Sequence, residues 1–403
     1  MSEMLKACTK TVEITPPTGS MMSSFPRGPE RKARRALGAH DPLYVRVLAL
    51  RGDNEPVIVC ACDLCIIRDV DVERIRRKVV EQIPGLAADR IIITTSHTHS
   101  SVESSYLSGN TPDDPWIHEM NQRIACAVVD ACQHLIPVTC SVGRTTEELN
   151  HNRRVMNSEG KSRMVFEYTE GVTVGTTDPE MIVLRFDGKD GRPAAVLYNF
   201  TAHALTAGPK NDYYTADYPG VTSGVVEKTW PGCTALFCNG AAGNIHPRRC
   251  MRDNFSMTAE IGTELGTAVV EAVQSAEGLG NPELAFTSKK LMFPNRVDPS
   301  LQVEVEISCL RLGNVIMGFV PGEPYVEFQL SFKEQVRPLV GVFVGYSNAW
   351  TGYLPTLDDY AHGGYGVDQC SIDAAHWSRT ALPQGTGERI LTELVALADT
   401  VRK

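Results

Sequence analysis

No apolar run in this sequence reaches the roughly 18 residues that a membrane-spanning helix needs, which argues against stable insertion in a bilayer. The opening residues Met1-Ser2-Glu3-Met4-Leu5-Lys6 carry no apolar signal core and no cleavage site, so the expected location is the cytoplasm. Runs of basic residues are missing beyond a short cluster at Arg27–Arg35, and the net charge is −9, so nucleic acid is discounted as a partner. Disordered and fibrous classes are excluded by an ordinary balance of 42% apolar and 22% charged residues. No internal repeat, low-complexity segment or linker divides the chain, and residues 1–403 read as a single domain. Two hydrolase signatures are also lacking: there is no H-E-x-x-H helix and no G-x-S-x-G elbow.

Cysteine is not scarce, at 12 residues, but no two pairs stand at zinc-finger spacing. In a reducing compartment these read as free thiols. Cys60, Cys62 and Cys65 sit in or just after an apolar strand and read as small buried hydrophobes rather than a metal cluster.

What is present is an α/β pattern. Thr11–Pro17 reads as a short strand stopped by prolines, followed by a loop-like stretch over 18–41. Tyr44–Leu50 and Pro56–Leu64 form a hairpin, Asp71–Ile83 a helix, Arg90–Thr95 a strand, Trp116–Leu135 a long helix and Val138–Val142 a strand. Then come a hairpin at Met181–Phe186 and Ala194–Phe200, a helix at Pro219–Trp230, a strand at Thr234–Cys238 and a helix at Met257–Ala276. Alternating strands over 282–320, a helix at 324–336, a strand at 340–346, an aromatic, Gly-rich stretch at 346–366 and a helix at 384–402 complete the order. The expected fold class is α/β: mixed sheets layered with helices, with the site at the carboxyl ends of strands.

Apolar strands run out into polar residues at His97/His99, His203, His246 and Glu323. Residues i and i+2 of a strand share a face, so His97 and His99 can point the same way. A single histidine at a strand end is usually a hydrogen-bonded core residue, but four such ends together suggest the His/Glu ligand set of a catalytic zinc. His118 and His134 read as surface or packing residues, His40 either lines a pocket or has no special role, and His362 and His376 stay open. After His97-Thr98-His99 the chain continues Ser100-Ser101, not the D-H of metallo-β-lactamase-like enzymes. An amidohydrolase barrel places H-x-H on its first strand, whereas here it falls on about the third or fourth.

Several stretches then come in one order: Thr95-Ser96-His97-Thr98-His99-Ser100, Asn150-His151-Asn152-Arg153, Phe200-Thr201-Ala202-His203, Asn239 through Pro247, Pro321-Gly322-Glu323, and Asn348 through Tyr360. In that order the sequence resembles the amino-terminal catalytic domain of the neutral/alkaline ceramidases. The resemblance implies a zinc amidase in which His97, His203, Glu323 and Tyr353 hold Zn2+, and His99, Arg153 and Tyr365 face the substrate. Three departures matter. The family's serine position is His246, which excludes a serine acyl-enzyme there and makes His246 a candidate proton shuttle or extra ligand. The family's carboxyl-terminal β-sandwich domain has no counterpart in the chain, and no secretion signal is seen. A long-chain sphingolipid is therefore not the expected substrate; a small soluble amide, ester or lactone is, cleaved by a metal-activated water with His99 or His246 moving the proton. A true ceramidase and a non-catalytic zinc-binding relative are the competing readings, and a homo-oligomer is compatible with the sequence. Asp217 is expected either to orient a ligating histidine or to cap a helix. Tyr346, Trp350, Tyr353, Tyr360 and Tyr365 are expected to wall the pocket.

Overall fold

The computed structural model describes residues 4–27, 32–105, 114–172, 175–368 and 382–402. His376 lies outside them. Three mixed sheets, of five, five and four strands, carry the fold. The first runs Ile91–Thr95, Val57–Cys62, Tyr44–Arg51, Lys6–Glu13, Ile136–Pro137, and the second Thr234–Asn239, Pro193–Phe200, Glu180–Asp187, Thr139–Thr146, Glu277–Gly278. The third runs Val340–Val344, Val315–Phe319, Gln302–Leu312, Leu284–Pro294. In each, three consecutive strands are antiparallel, and the fourth returns through a helix to pair in parallel at one edge.

The chain is thus a threefold repeat of one β-β-β-α-β-α unit, which the sequence does not reveal. The crossover helices are Asp69–Val80, Asp217–Thr229 and Val326–Gln335; the closing helices are Pro115–Gln133, Ser256–Gln274 and Thr386–Val401. The repeat hides because packing asks only for apolar side chains of suitable volume at equivalent positions, not for the same ones. Inner faces of all three sheets meet in one shared core, with Leu48, Val59 and Ile92 from the first, Leu184, Leu197 and Leu236 from the second, and Leu310, Met317 and Val344 from the third. Each outer face is covered by its own helix pair, giving three satellite cores. Val57–Cys62, Ile91–Thr95, Thr234–Asn239 and Val315–Phe319 are buried on both faces, which is why they read as continuous runs of apolar and small residues rather than alternating ones.

Two expectations need adjusting. The first strand spans Lys6–Glu13, starting before the apolar run because it pairs with Tyr44–Arg51 along its whole length. The loop-like stretch contains short strands, Met21–Arg27, Lys32–Arg35 and Gly38–Ala39. Cys60 and Cys62 lie in the core as expected, and no disulfide joins the cysteines among the described residues. No helix among them is long and apolar enough to cross a membrane.

Candidate metal centre

Repetition brings the carboxyl ends of equivalent strands together. Val57–Cys62, Pro193–Phe200 and Val315–Phe319 are the middle strands of the three units, and just beyond them stand Cys65, His203 and Glu323. His97 follows the parallel edge strand of the first unit. It does not continue that strand: the ladder ends at Thr95, and His97 adopts a left-handed backbone, φ 64°. A β-carbon makes this conformation costly. It is held by Ser96 N donating to Cys62 O at 2.9 Å and His97 N to Leu64 O at 2.9 Å. Asn348, also left-handed, secures the neighbouring strand by donating from its N to Ile93 O at 2.7 Å and accepting from Ile93 N on Oδ1 at 2.9 Å. So His97 and His99 do share a side, through a turn rather than through strand alternation: their Nε2 atoms lie 3.2 Å apart with the rings edge to face.

Three ligand-type atoms converge. Glu323 Oε2 is 3.3 Å from His97 Nε2 and 3.3 Å from His203 Nε2, and all three side chains are buried. Their outward atoms are fixed. His97 Nδ1 donates to Cys65 O at 2.8 Å and His203 Nδ1 to Ala242 O at 2.7 Å, so each ring turns its Nε2 lone pair inward. Trp350 Nε1 donates to Glu323 Oε1 at 3.0 Å, leaving Oε2 for the centre. Neither His203 Nε2 nor Glu323 Oε2 has a hydrogen bond of acceptable geometry, although both are fully buried. Buried polar atoms without partners are costly. Two imidazole lone pairs and one carboxylate oxygen aimed at a common point, each tied from behind, fit a divalent ion of the zinc type.

Electrostatics agree with that fit. Burial opposes charge on His97, yet Glu323 with the Cys65 group raises it to about 10, so a proton between His97 and Glu323 can substitute for a cation. Glu323 is likewise held well below the usual carboxylate range, against its own burial, by His97 and His203. Burial, then the nearby Arg153 charge, lowers His203 to about 3, keeping its lone pair free. Trp350→Phe removes the bond that aims Glu323 and is expected to weaken zinc binding by about 10–100-fold, read by equilibrium dialysis against a chelator.

Tyr353 sits on the short strand Tyr353–Leu354, which pairs in parallel with Glu323–Pro324 and sets Tyr353 opposite Glu323. Its hydroxyl accepts from Arg153 Nη2 at 3.2 Å. Arg153 also donates to Gly243 O and, at 2.9 Å, to His246 Nε2. Its guanidinium lies 5.0 Å from the Tyr365 ring centroid and 5.6 Å from that of Tyr353. His246 is therefore brought to Arg153; it occurs on Ile245–Pro247, paired with Asn150–Asn152 so that His151 and His246 are opposite. Burial, then Arg153, holds His246 well below its ordinary value, so it is a neutral acceptor. His99 is half-buried beside His97, with Phe25 5.4 Å away across the rings.

Other expectations fall elsewhere. Asp217 bonds no histidine: its carboxylate accepts from Thr206 N, Ala207 N, Thr206 Oγ1 and Tyr218 N, clamping the loop that follows His203 to the start of a helix. Tyr346 packs against His97, ring centroids 4.5 Å apart, while Tyr360 packs at the edge of the third satellite core. His40 stacks on Phe255, His134 bonds Asp130, and His362 bonds Gly160 O at 2.8 Å, all on the surface. His118 is an exposed position of its helix. Sequence reasoning missed Cys65, whose carbonyl orients His97 and whose Sγ is 3.7 Å from the same nitrogen. It also missed Phe25 and Arg34, the latter donating to His99 O at 2.9 Å. Only the three equivalent strand ends could have drawn attention to Cys65, and that equivalence is invisible without the sheets.

No protein-family model matches the chain. Among characterised proteins, a neutral ceramidase of Mycobacterium tuberculosis is 31% identical over 101 residues, which is 24% of this chain and only 16% of that protein. Among solved structures, neutral ceramidase from Pseudomonas aeruginosa superposes with a TM-score of 0.78 over 99% of this chain and 75% of that one, at 17% identity. A ceramidase complexed with C2 gives 0.79 over the same shares, at 15% identity. Over nearly its whole length the chain has the fold of the neutral ceramidases, and the sequence match over a quarter of it supports a relationship to them.

Proposed function

We propose that the protein is a zinc-dependent hydrolase of the amide bond of a small soluble substrate, with ester and lactone hydrolysis the neighbouring chemistries. The observation that carries this reading is the convergence of His97 Nε2, His203 Nε2 and Glu323 Oε2 on one buried point. These three would hold the ion, and Tyr353, opposite Glu323, is the fourth candidate. Bound zinc supplies Lewis acidity, polarising a carbonyl and lowering the pKa of water toward about 7.

The chain's own residues supply the rest. Hydrolysis joins the oxygen of water to the acyl carbon, breaks the C–N bond and moves one proton to the departing nitrogen. His99 is the partly exposed base beside the cluster and takes that proton before returning it to the amine. Arg153, with Tyr365, faces the acyl group and steadies its oxygen. His246 Nε2 is engaged by Arg153, so in this geometry His246 positions the guanidinium rather than shuttling the proton. His99→Ala is expected to lower kcat by about 10²–10⁴-fold with zinc content unchanged, measured by steady-state kinetics and metal analysis.

The decisive test is metal analysis of the purified protein, followed by an amide and ester panel that includes short- and long-chain ceramides. Zinc without turnover of any member would mark a non-catalytic relative and sink this reading. Likeness to a ceramidase complexed with C2 favours ceramide itself as the second reading. The cytoplasm is the proposed location, a compartment in which the 12 cysteines would stay reduced.

A further inference from the structure

We infer that the substrate carries a carboxylate close to its scissile amide, as N-acyl amino acids do, and that Arg153 is the residue that receives it. This rests on the hydrolase reading above and specifies its substrate class.

Arg153 is 4% exposed and permanently cationic. Its hydrogen-bond partners are His246 Nε2, Gly243 O and Tyr353 Oη, all uncharged acceptors, which take three of its five N–H donors. Two tyrosine faces complete its surroundings. Among the described residues no carboxylate forms an ion pair with it. Four other buried arginines each meet a carboxylate: Arg46 meets Asp63, Arg68 meets Asp71, Arg76 meets Glu306 and Arg154 meets Asp359. Glu323, the acid of the site, is committed to His97, His203 and Trp350. Glu323 carries one negative charge against the two positive charges of a divalent ion, so a filled centre would leave the charge on Arg153 unmatched. A buried unpaired charge is expensive to maintain, and sites that maintain one recover the cost when an anion arrives. The histidine at 246 is what makes this a property of this chain, because it secures the guanidinium without neutralising it.

The test uses calorimetry on the full-length protein as purified, with N-benzoylglycine and its neutral counterpart N-benzoylglycinamide as probes. The carboxylate is expected to bind at least about tenfold more tightly, the size of one charge-assisted hydrogen bond. Arg153→Gln should erase that ratio, and Arg153→Lys should keep part of it. Equal binding of the two probes to the unmodified protein overturns the inference whatever the variants do. So does a ratio that survives in Arg153→Gln with an unchanged circular dichroism spectrum, since the metal would then be the receiver. Where turnover is seen, Arg153→Gln should raise KM for the carboxylate substrate about tenfold more than KM for the amide. An equal fall in kcat for both, with no change in KM, would mean that Arg153 serves only the developing oxyanion, and overturns the inference. A binding preference without turnover supports the anion subsite and sinks only the hydrolase reading.

Discussion

Glu323→Gln is expected to empty the metal centre and reduce hydrolysis by about 10³-fold or more, the rate equivalent of several kcal/mol of Lewis-acid stabilisation. The substitution is nearly isosteric, so the fold should persist. What changes is charge: the carboxylate oxygen that faces two imidazole nitrogens at 3.3 Å becomes a neutral amide group. Zinc binding needs that negative charge, and His97 and His203 alone form an incomplete set. Plasma emission spectrometry should show zinc falling from near one per chain to a small fraction of that, while the far-ultraviolet circular dichroism spectrum stays the same. Full zinc occupancy in Glu323→Gln, or in His97→Ala, would mean that the centre has been placed wrongly.

Asp71→Ala is expected to destabilise the protein by about 3–5 kcal/mol, the usual result of removing one partner from a buried ion pair. Arg68 Nε donates to Asp71 Oδ2 at 2.6 Å with both side chains fully buried, and Asn121 Nδ2 donates to Asp71 Oδ1 at 2.7 Å. The carboxylate thus locks the first crossover helix, Asp69–Val80, to the first closing helix, Pro115–Gln133. The loss should appear as a lower urea midpoint. An apolar replacement of the whole group, Arg68→Met and Asp71→Leu with Asn121→Leu, should cost far less, because neither a charge nor an unpaired amide is left in the core. The pair also lies just beyond Cys65, whose carbonyl orients His97, so Asp71→Ala should weaken metal binding as well as stability. A midpoint within experimental error of the unmodified protein would contradict this account.

Much of the fold follows from local pattern. Val57–Cys62, Ile91–Thr95 and Thr234–Asn239 are short β-branched and apolar runs bounded by turn residues, and their helices show one apolar stripe. Such elements are legible because their identity depends on periodicity and length alone. Candidate ligands were legible for a related reason: a histidine or glutamate directly after an apolar strand is rare enough to notice, and strand ends are where α/β sheets place their sites. That is how His97, His203 and Glu323 stand out.

The shared geometry was not legible. Three sheets related by a threefold repeat bring residues 97, 203 and 323 within hydrogen-bond distance, and no local signal spans such separations. Roles diverge for the same reason. His99 and His246 look alike in sequence, each in a polar turn after a strand, yet His99 lies beside His97 and His246 supports Arg153. Asp217 stands at the start of a helix as a cap or an orienting acid would, and only the path of the loop at 204–207 decides that three of its four hydrogen bonds go there. The sequence by itself determined most of the elements, the candidate ligand types and the resemblance to the ceramidases, because these depend on residue order. The tertiary structure alone decided which strand ends meet and that buried Arg153 has hydrogen-bond acceptors but no ion pair among the described residues, because both depend on distances between segments that the chain keeps far apart.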